Sequence, residues 1–404
     1  MTDRLESLQI LRAVAAMMVA LFHLQQHVLP HHLGQALWPG LSMGYAGVEI
    51  FFVLSGYIMM HVHGREIGRR DATGRFLLRR AARILPLYWI VLGMVVLGRF
   101  AMTGAIPDAE RLFAAAFLLP NQMPILRVAW TLGYEMLFYG AFALLIWRPA
   151  SIAWLATGLA FGMLALVSLN ARPAAVLLTV AQEAPYALLF LLGIAAACLQ
   201  QRLTAPAALA FAAFGAFGVL AVGLSEALTG LAPEKPLRTL LYGVCAAALI
   251  AGLAAWEGAG RRRMPPFLIR LGDASYALYL LHLPVMSFAA KLVSSLRLDL
   301  PPWLNAAGLV LLATAAALCA HRVLERPMLR RLSHAIGRVT PKPDAMPVDL
   351  GHGRRRAAEA NPGARANRQP RENLQPRASL DARVTREARA DLRAGRVPPP
   401  RLHT

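Results

Sequence analysis

The stretch Leu8 to Leu24, LQILRAVAAMMVALFHL, contains only two ionisable residues, Arg12 and His23. Eleven residues at roughly 100° each return His23 to within about 20° of Arg12 on a helix, about 16 Å further along its axis. Charged groups in a membrane span are costly, and they mark ligand paths, proton relays or pairing with a neighbouring helix. Arginine offers fixed donors to an anion, and histidine can take or give a proton near neutral pH. At about 16 Å the two cannot form one hydrogen-bonded pair. They either serve two ends of one channel or pair separately with other helices.

Other polar residues lie in similar surroundings. Glu49 is in GVEIFFVLSGYIMM. Glu135 is in WTLGYEMLFY, with Thr131 and Tyr139 one turn to either side, and His282 is in SYALYLLHLPV, with Ser275 and Tyr279 on its face. Taken singly, each has a plain structural explanation, since an intramembrane Glu can simply bridge helices and a tyrosine can anchor an interface. Taken together with His23 they are expected at a similar outer depth, which calls for a polar cavity. In RFLLRRAARILPLYW, Arg75, Arg79, Arg80 and Arg83 run at helical spacings into Pro86. The segment suits phosphate oxygens, and it equally suits a topogenic basic loop.

The elements that must carry these residues are membrane spans. Apolar residues make up 57% of the chain and mean hydropathy is +0.48. Runs near the length that crosses a bilayer fall at about 8–26, 44–62, 84–103, 130–148, 151–169, 177–199, 205–224, 237–256, 273–291 and 304–322. The fold class is therefore all-α, a polytopic transmembrane bundle of about 10 spans. Arg12 and the lack of a small-residue cleavage pattern mark the first span as retained. The segment Leu112 to Leu119 is too short to cross and is expected at the outer interface. Arginines cluster between spans two and three, from Arg65 to Arg83, and between spans eight and nine, from Arg261 to Arg270. Those loops are expected to be cytoplasmic, and with them both termini.

Two domains follow: a membrane domain over 1–335 and a basic tail over 336–404, which has too few apolar residues to bury a core and is expected to be disordered. The tail supplies much of the formal net charge of +20. Beside a membrane, such charge points to anionic lipid headgroups as partners and not to nucleic acid. Cys198, Cys245 and Cys319 all sit in apolar stretches, which argues for packing and against a disulfide framework. His27, His31 and His32 lack a neighbouring carboxylate or thiolate, so no metal is expected.

In order, LRAVAAMMVALFH, GVEIFFVLSGYIMM, FLLRRAARILPLYW, WTLGYEMLFY, SYALYLLHLPV and VLERPMLR resemble the integral membrane acyltransferase family 3 over about residues 5 to 331. The opening pattern is most similar to members that acetylate bacterial exopolysaccharide. The resemblance implies O-acyl transfer, usually of acetyl, from acyl-CoA to a hydroxyl of a cell-envelope or exported polysaccharide, lipopolysaccharide or glycolipid, at the bacterial inner membrane. It implies no metal cofactor. Lipid-linked glycan acceptors and polysaccharide assembly proteins are the implied partners.

The family's functional residues map onto Arg12 and His23, onto Arg79, Arg80 and Arg83 of the basic segment, and onto Glu135 and His282; guanidinium chemistry then makes those three arginines the expected seat of the acyl-CoA phosphates. Glu49 stands where Asp is frequent in the family, and its carboxylate reaches one methylene further. On this reading His23 is the base, Glu49 or Glu135 orients its ring, and His282 is a second relay or an oxyanion donor. The rival class is a proton-coupled transporter or flippase of a glycan or lipid-linked intermediate, which intramembrane Arg, His and Glu would also suit. It lacks support from any repeat of motifs between the halves of the chain.

Overall fold

The computed structural model describes residues 5–119, 124–150, 173–229, 235–260 and 264–339. The expected span at 151–169 and the tail from 340 onward lie outside the described residues. Among the described residues there is no strand, and eight helices are long and apolar enough to cross a membrane. These match eight of the ten expected spans, and a ninth expected span corresponds to the helix Pro173–Leu199. The all-α class holds. With backbone polar groups unable to reach water in hydrocarbon, helices satisfy them internally.

The principal helices are α1 (Glu6–His23), α2 (Ala46–His63), α3 (Arg70–Thr103), α4 (Trp130–Trp147), α5 (Pro173–Leu199), α6 (Ala205–Thr229), α7 (Lys235–Gly258), α8 (Ser275–Ser295), α9 (Pro302–Ala320) and α10 (Arg326–Val339). α1 is central and packs against α2, α7, α8 and a short helix, Pro266–Asp273. Its first turn is held from another element. The Glu257 carboxylate accepts from the backbone N–H groups of Glu6 at 2.7 Å and Ser7 at 2.9 Å, satisfying donors that a helix start leaves open.

Three boundaries depart from the hydropathy reading. The first span continues through a π-helical turn, Leu24–Val28, to Leu33. The third span does not begin after the basic segment: α3 is one 34-residue helix that carries the arginines into the bundle, with Pro86 inside it. The last span runs through a second π turn, His321–Glu325, into α10 and ends at Val339. Apolar run length alone could not show that a basic turn stays helical when it packs against neighbours. The 109–116 helix is eight residues long, too short to cross, and its terminal carbonyls accept from Tyr88 Oη and Trp89 Nε1 at 2.6 and 2.8 Å.

Helices in lipid associate through close packing and not through water exclusion, so small residues set the distance of approach. At the α2–α5 crossing, a Cβ on Gly56 would overlap the Phe190 carbonyl oxygen, and one on Gly193 would overlap that of Val53. Gly56→Val is therefore expected to lower stability by about 2 kcal/mol or more, measured as an earlier unfolding midpoint in detergent. An unchanged midpoint would show that the crossing can spread freely. Of the cysteines, Cys245 is buried, Cys198 and Cys319 are exposed, Cys319 on the wall of a cavity, and all three are free.

Candidate active site

Three cavities lie in series through the bundle. One opens at the end carrying the arginine clusters, has a volume of about 1050 Å³, and is lined by five arginines, Arg12, Arg83, Arg270, Arg322 and Arg326, and one carboxylate, Asp273. A narrow middle cavity of about 150 Å³ shares Arg12 and Arg83 with it and adds Arg80, Glu135 and Tyr139. A third, of about 560 Å³, contains His23 and Glu49, and shares Val48 and Tyr279 with the middle one. Arg12 and His23 thus stand at two levels of one path, as their spacing on α1 allows.

Of the three α3 guanidiniums that the family resemblance singles out, Arg83 lines both the arginine-end and the middle cavities and Arg80 lines the middle one. Arg80 donates to His63 Nε2 at 2.8 Å, so the His63 hydrogen lies on Nδ1, which donates to Glu66 Oε2 at 2.8 Å. This chain holds the Arg80 guanidinium over the rings of Phe76 and Tyr139, at 5.7 and 5.6 Å from their centroids. Tyr139 in turn donates to Glu135 Oε1, as does Ser55 Oγ at 3.2 Å. Arg83 is fixed by an ion pair with Glu325 at 2.8 Å. Glu325 is 1% exposed, and its other oxygen accepts from His321 Nδ1 at 2.8 Å. The π turn 321–325 puts both side chains on one side, consistent with the tendency of π turns to occur at functional sites. Arg79, by contrast, is exposed and is not among the residues lining these cavities.

At the other end a pair of histidines meets. His23 Nδ1 lies 3.0 Å from the Val19 carbonyl oxygen and 3.2 Å from His282 Nε2, and His282 Nδ1 lies 3.0 Å from the Leu278 carbonyl oxygen. Carbonyls only accept, so both Nδ1 atoms carry hydrogen, and His282 Nε2 accepts from His23. His23 Nε2 is then left with its lone pair, on a half-buried side chain that lines the cavity. The π turn Leu24–Val28 begins at the next residue.

The cavity wall opposite is polar and aromatic. Tyr45 Oη donates to Glu226 at 2.8 Å, Arg238 lies 4.5 Å from the Tyr45 ring centroid, and Trp130 and Tyr186 meet edge to face at 5.3 Å. Tyr279 stands at the junction of the middle and histidine-end cavities, bonded to Thr131 Oγ1 at 2.7 Å.

Two expectations change. Glu135 does not share a level with His23; it belongs to the middle cavity with Arg12. The group that orients the His23 imidazole is the fully buried His282, together with a backbone carbonyl, in place of the expected carboxylate. Glu49 is buried in the wall of the histidine-end cavity. Among the described residues no group of three or more His, Cys, Asp or Glu could hold a metal. Sequence reasoning missed His63, Glu226, Arg238 and Glu325. Glu325 gave the clearest signal, a lone acid following the last apolar run in VLERPMLR.

A family model described as an acyltransferase domain matches residues 5–322. The exopolysaccharide production protein ExoZ of Rhizobium meliloti (strain 1021) is 33% identical over 322 residues, covering 74% of this chain and 94% of that protein. The acyltransferase MdmB of Streptomyces mycarofaciens is 26% identical over 385 residues, covering 81% and 92%. No solved structure matches significantly. The family match runs through Arg12 and His23 on α1, Arg80 and Arg83 on α3, Glu135 on α4 and His282 on α8, and on it the chain belongs to acyltransferase family 3, as a multi-pass membrane acyltransferase.

Proposed function

We propose that the chain takes an acyl group, acetyl in the simplest case, from acyl-CoA at the arginine end. It passes the group to a hydroxyl of a cell-envelope or exported glycan or glycolipid at the histidine end. The observation that carries this is the series of cavities, basic at one end, narrow at the middle, and polar and aromatic where the histidine base stands. By the positive-inside rule the arginine end faces the cytoplasm of a bacterial inner membrane, where acyl-CoA is available, and both termini lie on that side. Anionic headgroups are the partners of the basic tail.

The donor's pantetheine arm extends past Arg12 and brings the thioester to the level of Tyr279. His23 Nε2 removes the acceptor hydroxyl proton as that oxygen bonds to the thioester carbon. The carbon–sulfur bond breaks, the CoA thiolate leaves and takes up a proton, and the acyl ester remains on the acceptor. A sugar suits the far wall, because the Glu226 carboxylate can accept from hydroxyls, Arg238 can donate to oxygens, and Trp130 offers an apolar face. The name of ExoZ, which refers to exopolysaccharide production, agrees with such an acceptor.

The test supplies purified protein in detergent with radiolabelled acetyl-CoA and a host glycolipid extract. Label is expected in the glycan fraction. Trp130→Ala and Glu226→Gln are expected to raise the acceptor KM about tenfold, with the donor KM kept. Folded protein that neither binds CoA nor turns over the thioester would overturn the proposal and direct work to transport flux in vesicles.

A further inference from the structure

We propose that the arginine-end cavity is built to hold the phosphorylated nucleotide end of the donor, with Arg270, Arg322 and Arg326 as phosphate ligands and Phe267 as a stacking face for the base. This rests on the acyl-CoA reading above. Of the arginines lining the cavity, Arg83 is neutralised by Glu325, and Arg12 stands at the neck shared with the middle cavity. Arg270, Arg322 and Arg326 are exposed and form no ion pair within 4.0 Å among the described residues. Arg322 and Arg326 are four residues apart across the π turn that ends in Glu325, so one turn both pins Arg83 and presents two unneutralised guanidiniums. Phe267 is 67% exposed and lines the same cavity.

Guanidinium forks match phosphate oxygens with two parallel bonds, and an aromatic face stacks on a base. A 3′-phosphorylated adenosine diphosphate carries about three to four negative charges; the three guanidiniums offset most of them, in a cavity whose lining also includes the Asp273 carboxylate. Only a ligand with its anionic end here has an acyl arm aimed through the neck at Arg12. The cavity of about 1050 Å³ is also the largest of the three, as the bulkiest part of such a donor requires. Arg79 contributes to none of this, since it does not line the cavity.

Calorimetric titration of the full chain in neutral detergent with CoA, 3′-dephospho-CoA and pantetheine separates the contributions. CoA is expected to bind about tenfold more tightly than dephospho-CoA, and pantetheine more weakly than either. The double variant Arg322→Gln, Arg326→Gln should bind CoA and dephospho-CoA alike, with an unchanged thermal midpoint. Phe267→Ala should weaken both by a similar factor and leave pantetheine unaffected, which keeps the test valid if the arginine variant does not fold.

Equal binding of CoA and dephospho-CoA by the native chain would overturn the inference while leaving the acyl-CoA reading in place. So would a CoA preference retained in a folded arginine variant. Nanodiscs with and without phosphatidylglycerol test a lipid headgroup as the occupant. If these arginines serve headgroups, the double variant loses only the stabilisation by phosphatidylglycerol, and the inference fails. No binding of any of the three ligands by folded protein would overturn the donor reading itself.

Discussion

His23→Ala is expected to slow acyl transfer by about 10²- to 10⁴-fold, the usual contribution of a positioned general base, while the protein stays folded in the membrane. The reason lies in the histidine pair. With His23 Nδ1–H committed to Val19 and His282, Nε2 is the ring's acceptor in a cavity of about 560 Å³ whose wall also carries Glu226 and Arg238, the groups proposed to meet the acyl acceptor. Added imidazole should restore part of the rate, since the truncated side chain opens a space on that cavity. The acidic limb of the pH–rate profile, which reports protonation of the base, should vanish in the variant.

On the proposed mechanism His282 is a positioning residue, acting through His23. His282→Ala should cost less, about tenfold, because Val19 still holds the Nδ1 hydrogen. His282→Gln, which can present an oxygen near the same place, should recover part of the loss. Normal turnover by His23→Ala would refute the base assignment, and a loss in His282→Ala equal to that in His23→Ala would give His282 a direct chemical role.

How much of this was legible in the sequence depends on the range of each interaction. The shared face of Arg12 and His23 follows from 3.6-residue periodicity alone, and the span pattern follows from run length. Meetings between distant segments do not follow: His23 and His282 are 259 residues apart in sequence, and their contact depends on how α1 and α8 are rotated against each other. The depth of Glu135 has the same origin, since hydropathy places a helix within a few residues and cannot say which cavity a side chain lines.

Arg79 and Arg80 show the limit most sharply. Adjacent helical residues point about 100° apart, so only one of the two can face a narrow cavity, and His63 and Tyr139, from two other helices, determine that it is Arg80. Glu226 and Arg238 stood at the ends of apolar runs with nothing local to distinguish them from interfacial charges. The histidine-end cavity, which α6 and α7 wall on one side, brings them together with His23, and it exists only once the helices pack.

Glu325→Ala should cost about 3 kcal/mol of stability and disable donor handling together. Glu325 is 1% exposed and carries two partners, Arg83 through an ion pair at 2.8 Å and His321 through a hydrogen bond at 2.8 Å. Removing one member of a buried pair leaves the other charge desolvated without compensation, which is typically worse than never having built the pair. Arg83 is 28% exposed, so water recovers part of that cost. Glu325→Gln keeps an acceptor oxygen for one partner and should fall between the wild type and Glu325→Ala.

The two roles of the pair separate in the double variant Arg83→Met, Glu325→Leu. Replacing both charges with apolar side chains of similar bulk should return stability to near the native value. Transfer should stay low, because Arg83 lines both the arginine-end and the middle cavities, and the variant removes the guanidinium N–H donors that Glu325 does not occupy from the proposed donor path. Unfolding midpoints in detergent and donor KM, measured on the same preparations, test the separation. Recovery of both stability and donor KM in the double variant would make the pair a structural bolt with no part in handling the donor. An unchanged midpoint in Glu325→Ala would show that Arg83 finds another partner or reaches solvent.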